Sequence, residues 1–175
     1  MVSTGKGDKM EEKIVVPLDG SKLGEVALVY IEDLLSKLSP EVKVEIILLQ
    51  VLSACSPPVI CGEASLRVLY NAAEMKQHKA KSMRYLKKVG KALRGKGAAI
   101  KCKVAVGFPP EEIIKTAEEL NADLIALSSH GASGFSGWAF GGVTDKVIRR
   151  GGRIPITIVR VPDYRKLPLG RLADE

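Results

Sequence analysis

No apolar run in the chain approaches the roughly 20 residues that a membrane-spanning helix needs, and the polar opening 1–12 lacks the apolar centre of a secretory signal. A membrane is therefore not an expected partner, and the cytoplasm is the expected location. Cysteine is scarce and odd in number, Cys55, Cys61 and Cys102 in 175 residues, which excludes a disulfide framework. Cys55 and Cys61 stand in Cys-Ser-Pro-Pro-Val-Ile-Cys, a spacing that fits no common zinc pattern, and the chain has only 2 histidines to complete one. Free thiols and no metal site are expected, with Cys102 packed as a small residue among Ile100, Val104 and Val106. Aromatic residues make up 5% of the chain and no base-stacking motif is present, so nucleic acid is not an expected partner. There is no Gly-x4-Gly-Lys-Ser/Thr phosphate loop and no Gly-x-Ser-x-Gly nucleophile elbow.

What is present is a net charge of +7 on a chain that is 46% hydrophobic, with a length suited to one core. Much of the positive excess lies in 76–96, where Lys76, Lys79, Lys81, Arg84, Lys87, Lys88, Lys91 and Arg94 interleave with Ala80, Met83, Leu86, Val89 and Leu93. That spacing predicts an amphipathic helix with a solvated basic face.

The small, charged start, residues 1–11, reads as a disordered arm. Lys13 to Asp19 is a short β-branched run that predicts a strand ending at Asp19. Ser21 is placed to cap the helix that follows, with Leu23, Ala27, Tyr30, Ile31, Leu34 and Leu38 as its buried stripe. Val42 to Val51 is nearly continuously apolar, as in a parallel strand covered on both faces. Ser53 to Ala64 reads as loop, the basic helix follows, and Ala98 to Val106 predicts a third strand. Pro109 and Pro110 open another helix, with Glu111 and Glu112 complementing its dipole and Ile113, Ile114, Ala117 and Leu120 facing inward. Asn121 stops it. Leu124 to Leu127 predicts a fourth strand and Ile154 to Val161 a fifth.

Between the fourth strand and its helix lies a glycine-rich stretch, Ser128 to Gly142, with Gly131, Gly134, Gly137, Gly141 and Gly142. Strand, glycine-rich loop and helix N-terminus form an arrangement able to cradle phosphates. The same composition also suits a plain flexible turn. The alternation of strands and helices predicts an α/β fold, a parallel sheet with helices on both faces, in which ligands collect at the carboxyl ends of the strands.

From about Lys13 to Val161 the sequence resembles the universal stress proteins. Three motifs carry the resemblance: Val-Val-Pro-Leu-Asp-Gly-Ser at 15–21, Val-Gly-Phe-Pro-Pro-Glu-Glu-Ile-Ile at 106–114, and Ser-Ser-His-Gly-x9-Gly-Gly-Val at 128–143. The resemblance implies a five-stranded parallel sheet in the order 3-2-1-4-5, of the adenine nucleotide alpha hydrolase-like kind, within a domain spanning 12–162. It implies a homodimer through the last strand, 154–161, with the tail 163–175 adding to that contact. It implies ATP or AMP as ligand, with Mg accompanying ATP. Asp19 would then meet the ribose or adenine, and Pro17 and Val51 would flank the base. Leu127, Ser128, His130 and Gly131, with Gly141, Gly142 and Val143, would hold the ribose and phosphates.

The family's nucleotide binders resemble one another in Gly-x2-Gly-x9-Gly-Ser/Thr. Here Ser128 stands at the first glycine and Gly142 at the final hydroxyl residue, while Gly131 and Gly141 are kept. Losing the hydroxyl removes a charge-assisted bond of roughly 1.5–3 kcal/mol. A Cβ at Ser128 stands where backbone approach favours glycine. Phosphoryl transfer needs a metal holder and a group that positions the nucleophile, and His130 has no acid partner evident in the sequence. Three readings stay open: a nucleotide-responsive dimer, a dimeric interaction or chaperone-like module without nucleotide, and a slow ATPase.

Overall fold

The computed structural model describes residues 11–39, 41–55, 59–61, 64–66, 68–94, 97–132, 140–150 and 152–160. The arm, the C-terminal tail, and Gly134 and Gly137 of the glycine-rich stretch lie outside the described residues. Strands β1 (Glu11–Pro17), β2 (Lys43–Leu52), β5 (Ala99–Val106), β6 (Leu124–Ser128) and β7 (Ile156–Val159) form one sheet in the order β5-β2-β1-β6-β7. All its pairings are parallel. Counted within the sheet alone this is the order 3-2-1-4-5. Four helices, α1 (Lys22–Lys37), α2 (Ala72–Arg94), α3 (Pro109–Glu119) and α4 (Gly142–Arg150), connect the strands.

The apolar runs explain the sheet. Val15, Val16, Ile46, Ile47, Leu48 and Leu49 are at most 2% exposed, because β1 and β2 are central strands with side chains entering a core on both faces. Ile14, Val16, Ile46 and Leu48 pack with Ile31 and Leu35 of α1 and Leu86 and Leu93 of α2. Val15, Ile47 and Leu49 pack on the other side with Ile113 and Ala117 of α3 and Val147 of α4. Cys102 is half-buried and packs against the first of these layers.

Four helix boundaries follow local chemistry. Ser21 caps α1, its hydroxyl accepting from the Gly24 N–H at 3.0 Å. Asn71 and Glu74 form a reciprocal capping box at the start of α2, with bonds of 2.8 and 2.9 Å. Pro109 and Pro110 occupy the first turn of α3. After α3, Asn121 adopts φ 48°, a left-handed conformation that asparagine tolerates, and turns the chain into β6.

The structure corrects several expectations. Strand β1 begins at Glu11 and ends at Pro17, two residues short of Asp19, which belongs to the turn before α1. In α1, Ala27 and Ile31 are buried and Tyr30, Leu34 and Leu38 pack partly buried against the same core, but the buried face also takes in Leu28 and Leu35, which the expected stripe omitted. The stripe of a 3.6-residue helix is wide enough that both phases look apolar in the sequence. The segment expected as loop contains an antiparallel hairpin, β3 (Val59–Cys61) with β4 (Ala64–Leu66). An isolated bridge from Cys55 to Leu69 closes it at the base. The Ser and Pro content hid two three-residue strands, in which only Val59 and Ile60 are strong β-formers. The last strand spans Ile156–Val159, inside the expected range, since Pro155 has no N–H to donate to a ladder. No helix of the described residues is long and apolar enough to cross a membrane.

Candidate functional site

The carboxyl ends of β1, β2 and β6 meet the starts of α1, α3 and α4 around a cavity of about 290 Å³. This is close to the lower end of the ~300–1,000 Å³ typical of small-molecule sites. Its walls include Pro17 and Asp19 after β1, Val51 of β2, Leu127 and Ser128 of β6, and Gly131 beyond them. Gly141, Gly142 and Val143 at the start of α4 complete the set. The structure thus brings together, from four separate stretches, all but one of the residues that the resemblance implies.

The exception is His130. It is 4% exposed and does not line the cavity; its Nδ1 lies 3.1 Å from Ser129 Oγ. Its carbonyl accepts from Ser128 Oγ at 2.7 Å. The residue is part of the loop's internal bonding rather than of the cavity wall.

The walls divide by chemistry. Pro17, Leu49, Val51, Ile113 and Leu127 form an apolar slot that suits a flat heterocycle, and Leu49 lies two residues before Val51, on the same strand face. At the other side the first turn of α4 offers N–H groups that have no intrahelical acceptor, together with the positive end of the helix dipole. Gly141 sits there as the cap residue, its N–H donating to Ser129 O at 2.7 Å and its carbonyl accepting from Asp145 N at 2.9 Å. Among the described residues, a Cβ built on Gly142 meets nothing within 4 Å.

Asp19 ties these parts together. Its Oδ1 accepts from the Ser21 N–H at 2.9 Å and the Ser21 hydroxyl at 2.6 Å. Its Oδ2 accepts from the Ala132 N–H at 2.6 Å, across 113 positions of sequence. A carboxylate has about four lone-pair sites, so with three used one remains for a ligand hydroxyl or amine. Two glycines make room for this carboxylate. A Cβ at Gly131 would lie well inside 3.0 Å of Oδ2, and one at Gly24 would lie 2.6 Å from Oδ1. Asp19 is therefore a pin that fixes the loop after β6 against the turn after β1, as well as a candidate ligand contact.

Ser128 is 7% exposed and spends its hydroxyl on His130 O, while its own carbonyl accepts from Thr144 Oγ1 at 2.9 Å. The substitution for glycine is thus absorbed by bonds that lock the loop base to α4. Sequence reasoning missed Gly24, Leu49, Ala132 and Thr144. Gly24 had a usable signal, a residue without Cβ in the first helical turn directly after an Asp-Gly-Ser sequence. Thr144 carried none, since its role depends on a carbonyl 16 residues earlier. Among the described residues no group of three or more His, Cys, Asp or Glu is placed to hold a metal ion.

Comparison with known proteins agrees with this geometry. The model of the universal stress protein family matches residues 10–160. The chain is similar to universal stress protein MJ0577 of Methanocaldococcus jannaschii, 29% identical over 162 residues that cover 86% of this chain and 96% of that protein. The solved structure of MJ0577 superimposes with a TM-score of 0.67 at 26% identity, covering 88% of this chain and 99% of that one. A universal stress protein solved in complex with cAMP shares the fold at TM-score 0.59 and 21% identity, over 85% of this chain and 96% of its own. An Arabidopsis thaliana family protein with AMP bound does so at TM-score 0.58 and 14% identity, over 88% and 94% of the two chains.

Proposed function

The chain belongs to the universal stress protein family, and from that premise we propose that it binds an adenine nucleotide, ATP or AMP, in the cavity at the carboxyl ends of β1, β2 and β6. The observation that carries this reading is the joining of an apolar slot to a helix N-terminus, with a pinned carboxylate between them. The base lies in the slot formed by Pro17, Val51 and Leu127, a hydroxyl or amine of the nucleoside takes the remaining acceptor site of Asp19, and the phosphates face Gly141, Gly142 and Val143. The cAMP and AMP complexes share this chain's fold at low identity, so the argument rests on this chain's own cavity. Bound nucleotide changes the surface shown to partners. The protein works as a nucleotide-responsive dimer of the domain 12–162, paired through β7, which is an edge strand of the sheet, and it acts in the cytoplasm in signalling or stress protection.

The test is thermal unfolding with ATP, ADP, AMP and adenosine, together with mass spectrometry of the native protein. Stabilisation follows RT ln(1 + [L]/Kd), so millimolar ligand at a micromolar Kd raises stability by about 4 kcal/mol. A shift of several degrees supports the reading. No shift at millimolar nucleotide, with no co-purifying nucleotide mass, favours an interaction module without nucleotide.

A further inference from the structure

The strongest charge feature of the molecule lies away from the cavity. Lys76, Lys81, Arg84, Lys87, Lys88 and Lys91 of α2 are all exposed. At 100° per residue they fall within a sector of about 140°, directly opposite Leu86 and Leu93, which are fully buried against the sheet. Gly90 sets the helix close to that sheet, since a Cβ there would meet Ile100 and Leu48 at 3.0 and 3.1 Å. None of the ion pairs among the described residues involves these six cations. The only acid of the helix, Glu74, is engaged at its cap with the Asn71 N–H. At a rise of 1.5 Å per residue the cations zigzag over a convex face about 22 Å long.

We propose that this stripe binds the phosphodiester backbone of a single nucleic-acid strand without reading its bases. The charge wraps a convex face and does not lie in a plane. The neighbouring helix of the same layer, α1, shows a neutralised pair, Lys37 with Asp33, at its exposed side, so a flat anionic membrane would engage one helix only. A stiff duplex cannot follow cations staggered around that face, whereas a flexible strand can wind over them and set one phosphate against each of the six. The scarcity of aromatics argues against base stacking and leaves backbone contacts untouched. The stripe lies on α2, which contributes no residue to the cavity's walls, so this inference does not depend on the nucleotide reading.

The experiment is fluorescence anisotropy of fluorescein-labelled single-stranded DNA and RNA 20-mers of mixed sequence, with the full chain, between 50 and 200 mM KCl. About six contacts predict a slope of log K on log salt near −4, hence roughly 300-fold weaker binding across that range. The triple variant Arg84→Gln/Lys87→Gln/Lys91→Gln is expected to lose about half of that slope. The charge-matched variant Lys43→Gln/Lys115→Gln/Arg153→Gln, altered at exposed positions elsewhere, is expected to keep it, with both variants checked by thermal melts. Equal losses in the two variants would overturn the proposal by reducing the effect to net charge. Absence of strand binding at 50 mM KCl would overturn it, as would capture by phosphatidylserine vesicles in place of either strand.

Discussion

Replacing Gly131 with alanine tests the pin directly. The added Cβ would lie well inside 3.0 Å of Asp19 Oδ2, a separation that real Cβ atoms do not show. The carboxylate cannot turn aside freely, because Ser21 holds Oδ1 through two bonds and Ala132 holds Oδ2. Relief therefore breaks the bond that the Ala132 N–H donates to the charged carboxylate, worth about 1.5–3 kcal/mol. The loop after β6 then detaches from β1, and nucleotide affinity is expected to fall about 10- to 100-fold. The assay is calorimetric titration with AMP and ATP on a double-mutant cycle of Gly131→Ala and Asp19→Ala. With the carboxylate removed, the alanine at 131 has nothing to strike, so the coupling should reach at least about 1.5 kcal/mol. Additive losses would refute the pin and leave Gly131 as an ordinary turn residue.

Other outcomes follow from the same geometry. Gly142→Ser adds a hydroxyl at the start of α4, where a Cβ meets none of the described residues within 4 Å; ATP affinity by calorimetry is expected to rise about 10- to 100-fold, with adenosine affinity unchanged. Gly90→Ala gains about 1 kcal/mol in helix propensity but drives a Cβ toward Ile100 and the fully buried Leu48. Overpacking of this kind costs about 1–3 kcal/mol, so urea denaturation should show a net loss of about 1 kcal/mol. Tyr85 is pushed up from its ordinary phenol value first by burial and then by Glu25, to which its hydroxyl donates at 3.1 Å. A raised folded value means that this stability is complete below the unfolded value of about 10 and is lost as pH rises past it. Denaturation from pH 8 to 11 should therefore show a fall in stability that Tyr85→Phe flattens.

The sheet was legible because its signals are local and agree with one another. The apolar run Ile46 to Leu49, a capping serine at 21, prolines opening α3 and Asn121 closing it each point to a single backbone solution, and alternation of strands and helices then leaves few topologies. The hairpin was not legible, because strands of three residues carry too little periodicity to outweigh the prolines before them. The buried face of α1 was read too narrowly for a different reason: Leu34 and Leu35 are adjacent, and only the position of the sheet decides which one is buried more fully.

The cavity was legible as a set of residues and not as a mechanism. Resemblance named Asp19, Gly131 and Gly141, but the reason Gly131 lacks a side chain is a carboxylate 112 positions earlier, visible only once β1 and β6 lie side by side. His130 shows the converse. Its place among glycines suggested a ligand contact, whereas burial and the neighbouring serines make it part of the loop's own bonding.

The measurement that most directly tests the central claim is calorimetric titration of the wild-type chain with ATP, AMP and adenosine, beside Gly131→Ala. The account predicts saturable binding of one nucleotide per chain, with adenosine retaining part of the affinity through the apolar slot and the variant weakened for all three. Absence of heat and of thermal stabilisation at millimolar concentrations of each would contradict it.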